Sequence, residues 1–291
     1  MQIPDLGKIT TDEIHTPLLQ NKKVELDVLR LDKIHPVISG NKWFKLKYHL
    51  DNYNAANYKG ILTFGGAWSN HIVATACACH LQKIKSIGII RGEKPAQFSA
   101  MLIEAIKYGM DLKFISRESY GQKESKEFLV TITNDFPDYY VIPEGGAGKE
   151  GEKGASEILQ HANGKKYTHI VCAVGTGTMF NGILSSVAAN QQVLGIVVLK
   201  GWKEKDENAG KLFYNYHFGG YAKYDSTLID FMNEFYTFTN IPTDFVYTGK
   251  LAYAISDLIK KDQLAPDSKI LMIHSGGLQG NTSLQKGSLI F

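Results

Sequence analysis

The 291 residues carry 44% hydrophobic and 21% charged side chains, enough apolar material for a large core, and a net charge of +3, too mild to draw nucleic acid or an anionic membrane as partner. That length suits one large α/β unit or two close-coupled domains, and the composition excludes a disordered chain. Three cysteines are too few for a disulfide framework.

The first fifteen residues lack the basic start and apolar core of a signal peptide, and no stretch reaches the ~18 apolar residues of a membrane span. A soluble, cytoplasmic protein is expected. Short runs rich in Ile and Val at 60–64, 86–90, 111–115, 139–142, 168–174, 193–199 and 269–274 predict strands buried on both faces. Helical patterns fall at 69–81, 96–108 and 125–134 after the first three strands, at 151–161 before the fifth, and at 179–189 after it. Strands alternating with helices argue for βαβ units and parallel sheets. Residues 143–154 hold five glycines and read as a crossing between two domains, because apolar elements resume on both sides. The mixed-sign stretch 203–208 reads as a solvated loop. Cys77 and Cys79, beside His71 and His80, fit no common zinc spacing and read as small buried helix residues, so no metal is expected.

Five places could carry chemistry. The loop from Phe64 through Gly65, Gly66, Ala67 and Trp68 to Ser69, Asn70 and His71 leaves a strand and opens a helix. Unpaired N–H groups at such a start suit a carboxylate or phosphate, and Ser69 or Asn70 is a good N-cap; a plain capped connection is the equal alternative. Gly175, Thr176, Gly177 and Thr178 again lie between strand and helix. Glycines there let the backbone approach an anion and the threonines add hydroxyl donors, which reads as a phosphate cradle. The next glycine, Gly182, comes two residues late for G-x-G-x-x-G and no acidic residue ends the next strand, so a Rossmann-like NAD enzyme is only the alternative reading.

The third place is Ser39–Gly40–Asn41–Lys42–Trp43–Phe44–Lys45–Leu46–Lys47. A lysine among aromatic neighbours can be desolvated, which lowers its pKa and favours the neutral amine needed for a Schiff base. The residues alone do not choose between Lys42, Lys45 and Lys47. The last two places are His274–Ser275–Gly276–Gly277 and Tyr247–Thr248–Gly249–Lys250, the latter at the head of a helical run; each alone reads as an ordinary turn. Most of these pieces sit at strand ends or helix starts, where an α/β sheet places its ligands.

In this order the pieces resemble the 1-aminocyclopropane-1-carboxylate (ACC) deaminase / D-cysteine desulfhydrase family of pyridoxal 5′-phosphate (PLP) enzymes, related to tryptophan synthase β and called fold type II. The resemblance runs from about Val28 to Gly277. The family's G-G-N-K-x-x-K-L appears as Ser39–Leu46 with Ser39 in place of the first glycine, its G-G-x-x-S-N as Gly65–Asn70, and its I-P-x-G-G as Ile142–Gly146. The resemblance implies two open, twisted, mostly parallel sheets flanked by helices with the cofactor between them: a large PLP-binding domain of residues 1–52 plus 150–291 and a small α/β domain of 53–149. It also implies a homodimer and a small amino acid as substrate.

Carried over residue by residue, Lys42 would form the Schiff base, Lys45 and the loop Gly175, Thr176, Gly177 and Thr178 would hold the phosphate, and Asn70 would bond the phenolic oxygen. Ser275 would face the pyridine nitrogen, Ser69 would lie by the substrate carboxylate, and Tyr247 and Tyr221 would be the active-site tyrosines. Members that open ACC resemble one another in having Glu after the tyrosine of V-Y-x-G-K and Leu near the C-terminal Gly-Gly. Thr248 and Ser275 stand there, resembling the D-cysteine desulfhydrase side, so β-elimination releasing ammonia and a 2-oxo acid is expected rather than ring opening, with a true ACC deaminase as the alternative. Trp43 and Phe44 depart from the usual pair between the two lysines, and the chain looks shorter than typical members before Lys42 and around residues 200–221.

Overall fold

A computed structural model of the protein describes residues 3–163, 166–201 and 210–291. The charged stretch 203–208, read as a loop, lies outside the described residues. The chain opens with β1 (Thr11–Ile14), α1 (Pro17–Lys22), β2 (Glu25–Arg30) and α2 (Asn41–Asn54). A first α/β series comes next: β3 (Gly60–Gly65), α3 (Asn70–Leu81), β4 (Lys85–Arg91), α4 (Ala100–Lys107), β5 (Met110–Ile115), α5 (Arg117–Gly121), α6 (Lys126–Asp135) and β6 (Tyr139–Ile142). The second runs α7 (Lys149–Ser156), β7 (His169–Val174), α8 (Thr178–Leu184), β8 (Gln192–Val197), β9 (Lys211–Phe213), α9 (Ser226–Thr239), α10 (Thr248–Lys260) and β10 (Lys269–His274).

These strands make two sheets. One has the order β1-β2-β10-β7-β8-β9 and is parallel except where β1 pairs antiparallel with β2; the other, β5-β4-β3-β6, is parallel throughout. The sequence explains the parallel pairing. In β3 all six residues are buried, and in β7, β8 and β10 only the first is not, as expected of strands covered on both faces. Each fully buried Val, Leu or Ile contributes about 1.5–3 kcal/mol. On one face of the larger sheet Val171, Ile196 and Met272 pack beneath Leu251, Ile255 and Leu258 of α10; on the other, Ile170, Cys172 and Ile273 meet Phe44 of α2 and Phe180 of α8. Cys77 and Cys79 are buried on α3, in a core with Leu46 of α2 and Ile61 of β3. Serine starts four helices: Ser69, Ser99, Ser116 and Ser125 each accept from an N–H in the first turn of α3, α4, α5 and α6.

Three predicted helices are shorter than their patterns. The first turn of the 96–108 pattern is not helical, because the Ser99 cap fixes the start at Ala100. The 151–161 pattern divides into α7 and a 3₁₀ turn, Ile158–His161. The helix predicted to reach 189 stops at Leu184, where the hydroxyls of Ser185 and Ser186 turn back onto the carbonyls of Gly182 and Ile183.

Helix α2 is held in place around its first turn, where its buried face begins. Gly40 begins it with φ 62°, and a Cβ there would stand 1.9 Å from the Ser275 carbonyl oxygen, so only glycine lets the helix start so close to the end of β10. Further along, α2 lies against α7 with a Cβ on Gly154 falling 1.7 Å from the carbonyl oxygen of Phe44. Backbone meets backbone there, which seats α2 between the two sheets. No helix of the described residues is long and apolar enough to cross a membrane.

Candidate active site

A cavity of about 260 Å³ opens between the sheets at the C-terminal ends of their strands. The smaller sheet contributes the loop after β3 (Gly66, Ser69, Asn70, His71), Arg91 at the end of β4, and Glu144 and Gly145 after β6. The larger contributes the loop after β7 (Gly175, Thr176, Gly177), Tyr221, Tyr247 before α10 and Ser275 after β10. Asn41, Lys42 and Lys45 of α2 complete the wall. The geometry brings together every residue given a site role from the sequence except Thr178, which is buried one layer behind with its hydroxyl 3.0 Å from that of Thr176; of the three candidate lysines, Lys47 turns away and pairs with Glu157. Thr248 does not line the cavity either. It is fully buried, and its hydroxyl donates to Asp244 Oδ1 at 2.7 Å.

Lys42 sits in the first turn of α2 and Lys45 one turn on, so both point from one face. Both are buried, and neither has a hydrogen bond or ion pair among the described residues. Burial pushes Lys42 down to about 8 against the pull of Asp244, and burial together with the Lys42 charge pushes Lys45 down to about 7. The Lys42 Nζ lies 5.6 Å from the centroid of the Tyr247 ring. The Tyr221 ring meets Tyr247 edge to face, with centroids 6.3 Å apart. Burial raises the pKa of both phenols, so each keeps its proton near neutral pH.

Two buried amines without a partner are an unfavourable arrangement unless a ligand supplies negative charge and a carbonyl carbon. Asn70 Oδ1 and Asn41 Oδ1 are likewise buried without a partner among the described residues. Gly177 caps α8 in a left-handed conformation with no side-chain hydrogen bond, leaving the first N–H groups of that helix free for an anion. The two amines and the free N–H groups at the start of α8 therefore fit a phosphorylated aldehyde such as PLP, while the two amide oxygens can accept from a ligand donor.

Four residues of the site were given no role from the sequence. His71 follows Asn70 and lines the cavity, and its Nε2 lies 2.8 Å from Thr63 Oγ1. Thr63 gives its own proton to the Ile142 carbonyl, so Nε2 is the nitrogen that donates; Nδ1 is sealed from water and has no partner among the described residues. Burial, and then Lys45, hold the imidazole well below its ordinary pKa. Asp244 accepts from the N–H groups of Val246, Tyr247 and Thr248 at 2.9–3.0 Å, which fixes the start of α10 and with it the Tyr247 ring. An aspartate just ahead of a helical run is a capping signal that could have been read. Arg91 and Glu144 stand at the rim and are known only from the fold.

The comparisons with known proteins agree with this geometry. The model of the family described as pyridoxal-phosphate dependent enzyme matches residues 9–276. A Pyrococcus abyssi protein with a provisional ACC deaminase name is 27% identical over 286 residues, covering 88% of this chain and 86% of its own. A mitochondrial Arabidopsis thaliana protein named as a bifunctional D-cysteine desulfhydrase/ACC deaminase is 28% identical over 293 residues, covering 88% of this chain and 73% of its own. A crystal structure described as an ACC deaminase homologue superposes with a TM-score of 0.80 at 25% identity, covering 94% of this chain and 90% of that one. With the two-sheet fold and the paired buried lysines, this match places the chain in the family of pyridoxal-phosphate dependent enzymes, of fold type II, among relatives named ACC deaminase and D-cysteine desulfhydrase.

Proposed function

We propose that the protein releases ammonia and a 2-oxo acid from a small amino acid by β-elimination, with a D-cysteine-like substrate, rather than by opening the ACC ring. The observation that carries this reading is at Thr248. ACC-opening members resemble one another in having a glutamate there, whereas here the side chain is neutral, buried and bonded to Asp244. No carboxylate emerges beside Tyr247 from that position. Ser275, 3% exposed, offers the other wall a neutral hydroxyl instead of an apolar side chain.

In this reading Lys42 would hold the cofactor, Lys45 and the Gly175–Thr178 loop would hold its phosphate, the Asn70 Nδ2 amide would donate to its phenolic oxygen and Ser275 would meet its ring nitrogen. PLP supplies the electron sink that stabilises negative charge at the substrate α-carbon. The amine of Lys42, whose pKa burial lowers to about 8 and so whose neutral fraction is raised, would take the α-proton of a bound substrate. Ser69, at the start of α3, orients the substrate carboxylate together with the free N–H groups there. A phosphate beside Lys45 restores the proton that burial removes from it. Tyr221 and Tyr247, both protonated, face the departing group and can deliver a proton to it.

The purified protein, loaded with PLP, should show a visible absorbance band that borohydride removes, and Lys42→Ala should lack it. A screen of D- and L-cysteine, D- and L-serine, β-chloro-D-alanine and ACC for 2-oxo acid release should rank D-cysteine or chloroalanine first. ACC turnover comparable with that of D-cysteine would overturn the β-elimination reading, and absence of the band would overturn the assignment of Lys42.

A further inference from the structure

Lys250 lies one helical turn beyond Tyr247 on α10 and is fully buried, with no wall of the cavity to its name. A sealed ammonium is costly to fold around unless its protons are taken up. Here its Nζ donates to two backbone carbonyls, those of His217 and Gly220, each at 2.8 Å. Both belong to the short loop that delivers Tyr221 to the cavity. That loop is bent back on itself: Gly220 N–H donates to the same His217 carbonyl, and Lys223 N–H to the same Gly220 carbonyl. Four of its residues have left-handed backbone, at φ 52° for Phe218, 90° for Gly219, 125° for Gly220 and 52° for Ala222. Side-chain-bearing residues such as Phe218 and Ala222 rarely adopt it, and such a conformation persists only where the surroundings enforce it.

Besides the bonds from Lys250, Phe218 and Ala222 rest on the apolar cluster of Leu228, Met232, Phe245 and Val246, and Gly219 N–H donates to His217 Nδ1 at 2.9 Å. Phe218 packs edge to face on Tyr253, one further turn along α10, with centroids 5.0 Å apart. At its far end the Tyr221 hydroxyl reaches across to the smaller sheet and donates to the Trp68 carbonyl at 3.5 Å. Tyr221 itself is 37% exposed, so it covers the cavity mouth rather than filling its floor. A lysine suits the position, because three donors on a long stem let one side chain hold two carbonyls that face the same point. Burial pushes its pKa down to about 8 while Asp244 draws it up.

We propose that Lys250 is a positioning residue whose buried ammonium fastens the strained 217–222 loop so that Tyr221 closes over the substrate. It touches neither substrate nor cofactor and acts through Tyr221. This rests on the reading of Tyr221 as a residue that meets substrate, but the fastening itself can be tested without turnover.

The test compares the PLP-loaded parent with Lys250→Met by hydrogen–deuterium exchange. Amides of 217–222 should exchange at least about tenfold faster in the variant, while those of β7 and β10 stay unchanged. Equal exchange in 217–222 overturns the proposal. In turnover, Lys250→Met should raise KM about tenfold with a smaller change in kcat, and should add no further loss in a Tyr221→Phe background. Losses that multiply overturn the action through Tyr221. Should Lys250→Met not fold, Gly220→Ala disturbs the accepting side of the same contact with the lysine intact. It should give the same faster exchange and raised KM, and an unchanged loop overturns the proposal. A failure of the functional reading is seen separately, as absence of the visible band or of 2-oxo acid in the parent protein.

Discussion

The Lys42 amine lies over the face of the Tyr247 ring, 5.6 Å from its centroid, and the two residues come from opposite ends of the chain. The ring and its hydroxyl can be separated by substitution. Tyr247→Phe keeps the face under the amine and removes only the proton donor. We expect kcat to fall by about 10²-fold, the range of a lost general acid, with the visible PLP band intact in an absorbance titration. Tyr247→Ala should weaken PLP binding as well. A Phe variant as active as the parent would remove the hydroxyl from the chemistry.

Asp244 joins this ring to the fold. Its carboxylate takes the N–H groups of Val246, Tyr247 and Thr248 and the Thr248 hydroxyl, all in a fully buried setting. Asp244→Ala orphans these donors and should cost about 3 kcal/mol in urea unfolding. Asp244→Asn keeps part of the bonding and should cost less. Because Asp244 also draws the pKa of Lys42 upward, the Asn variant should lower it, seen as an earlier onset of Lys42 reaction with an amine-specific reagent on the pH axis.

The cofactor-free protein should be more stable in mild alkali than at neutrality. Lys42 and Lys250 are held at about 8 and Lys45 at about 7, all below the ordinary 10.5. Between about pH 7 and 10.5 the unfolded chain therefore binds more protons than the folded one. Stability rises with pH through that window and is lost as pH falls, by up to about 1.4 kcal/mol per pH unit for each lysine. Denaturant midpoints at pH 7 and pH 9 measure this. Lys45→Met should flatten the slope, as should saturating PLP, and a slope unchanged in Lys45→Met would show that Lys45 does not titrate there.

Gly154→Ala tests the seat of α2. The added carbon falls 1.7 Å from the Phe44 carbonyl oxygen, so α2 and α7 must part. Overpacking of this kind costs about 1–3 kcal/mol, and here it should also displace Lys42. Thermal unfolding and PLP affinity should both fall, and wild-type values for both would contradict the close contact.

The strands of the sheet centres were legible because nothing but packing acts on them: β3, β7 and β10 are plain apolar runs. The elements without a plain sequence signature carry charge inward. In β2, Asp27 and Arg30 are buried because Tyr167 and Lys166 hold the first and Asp12 and Asp32 the second, which breaks the apolar run. In α2 the buried face includes Lys42, Lys45 and His49, so its periodicity is masked, in part by the two lysines that line the site. The cavity residues on loops were legible only through their order along the chain. A residue that reaches the site through others, such as Asp244, depends on distances between segments far apart in sequence, which pattern alone does not carry.

The contact of Gly154 with Phe44 bears on how such an enzyme can diverge. Where two helices meet through side chains, drift in one is absorbed by repacking in the other. Here there is no side chain to absorb it, so the perch of Lys42 cannot wander by small steps. New substrates would have to be accommodated from the opposite rim, at Arg91, Glu144 and Tyr221, which sit on a strand end and in two loops. A selection for altered substrate scope should accordingly gather its changes at that rim and leave α2 untouched.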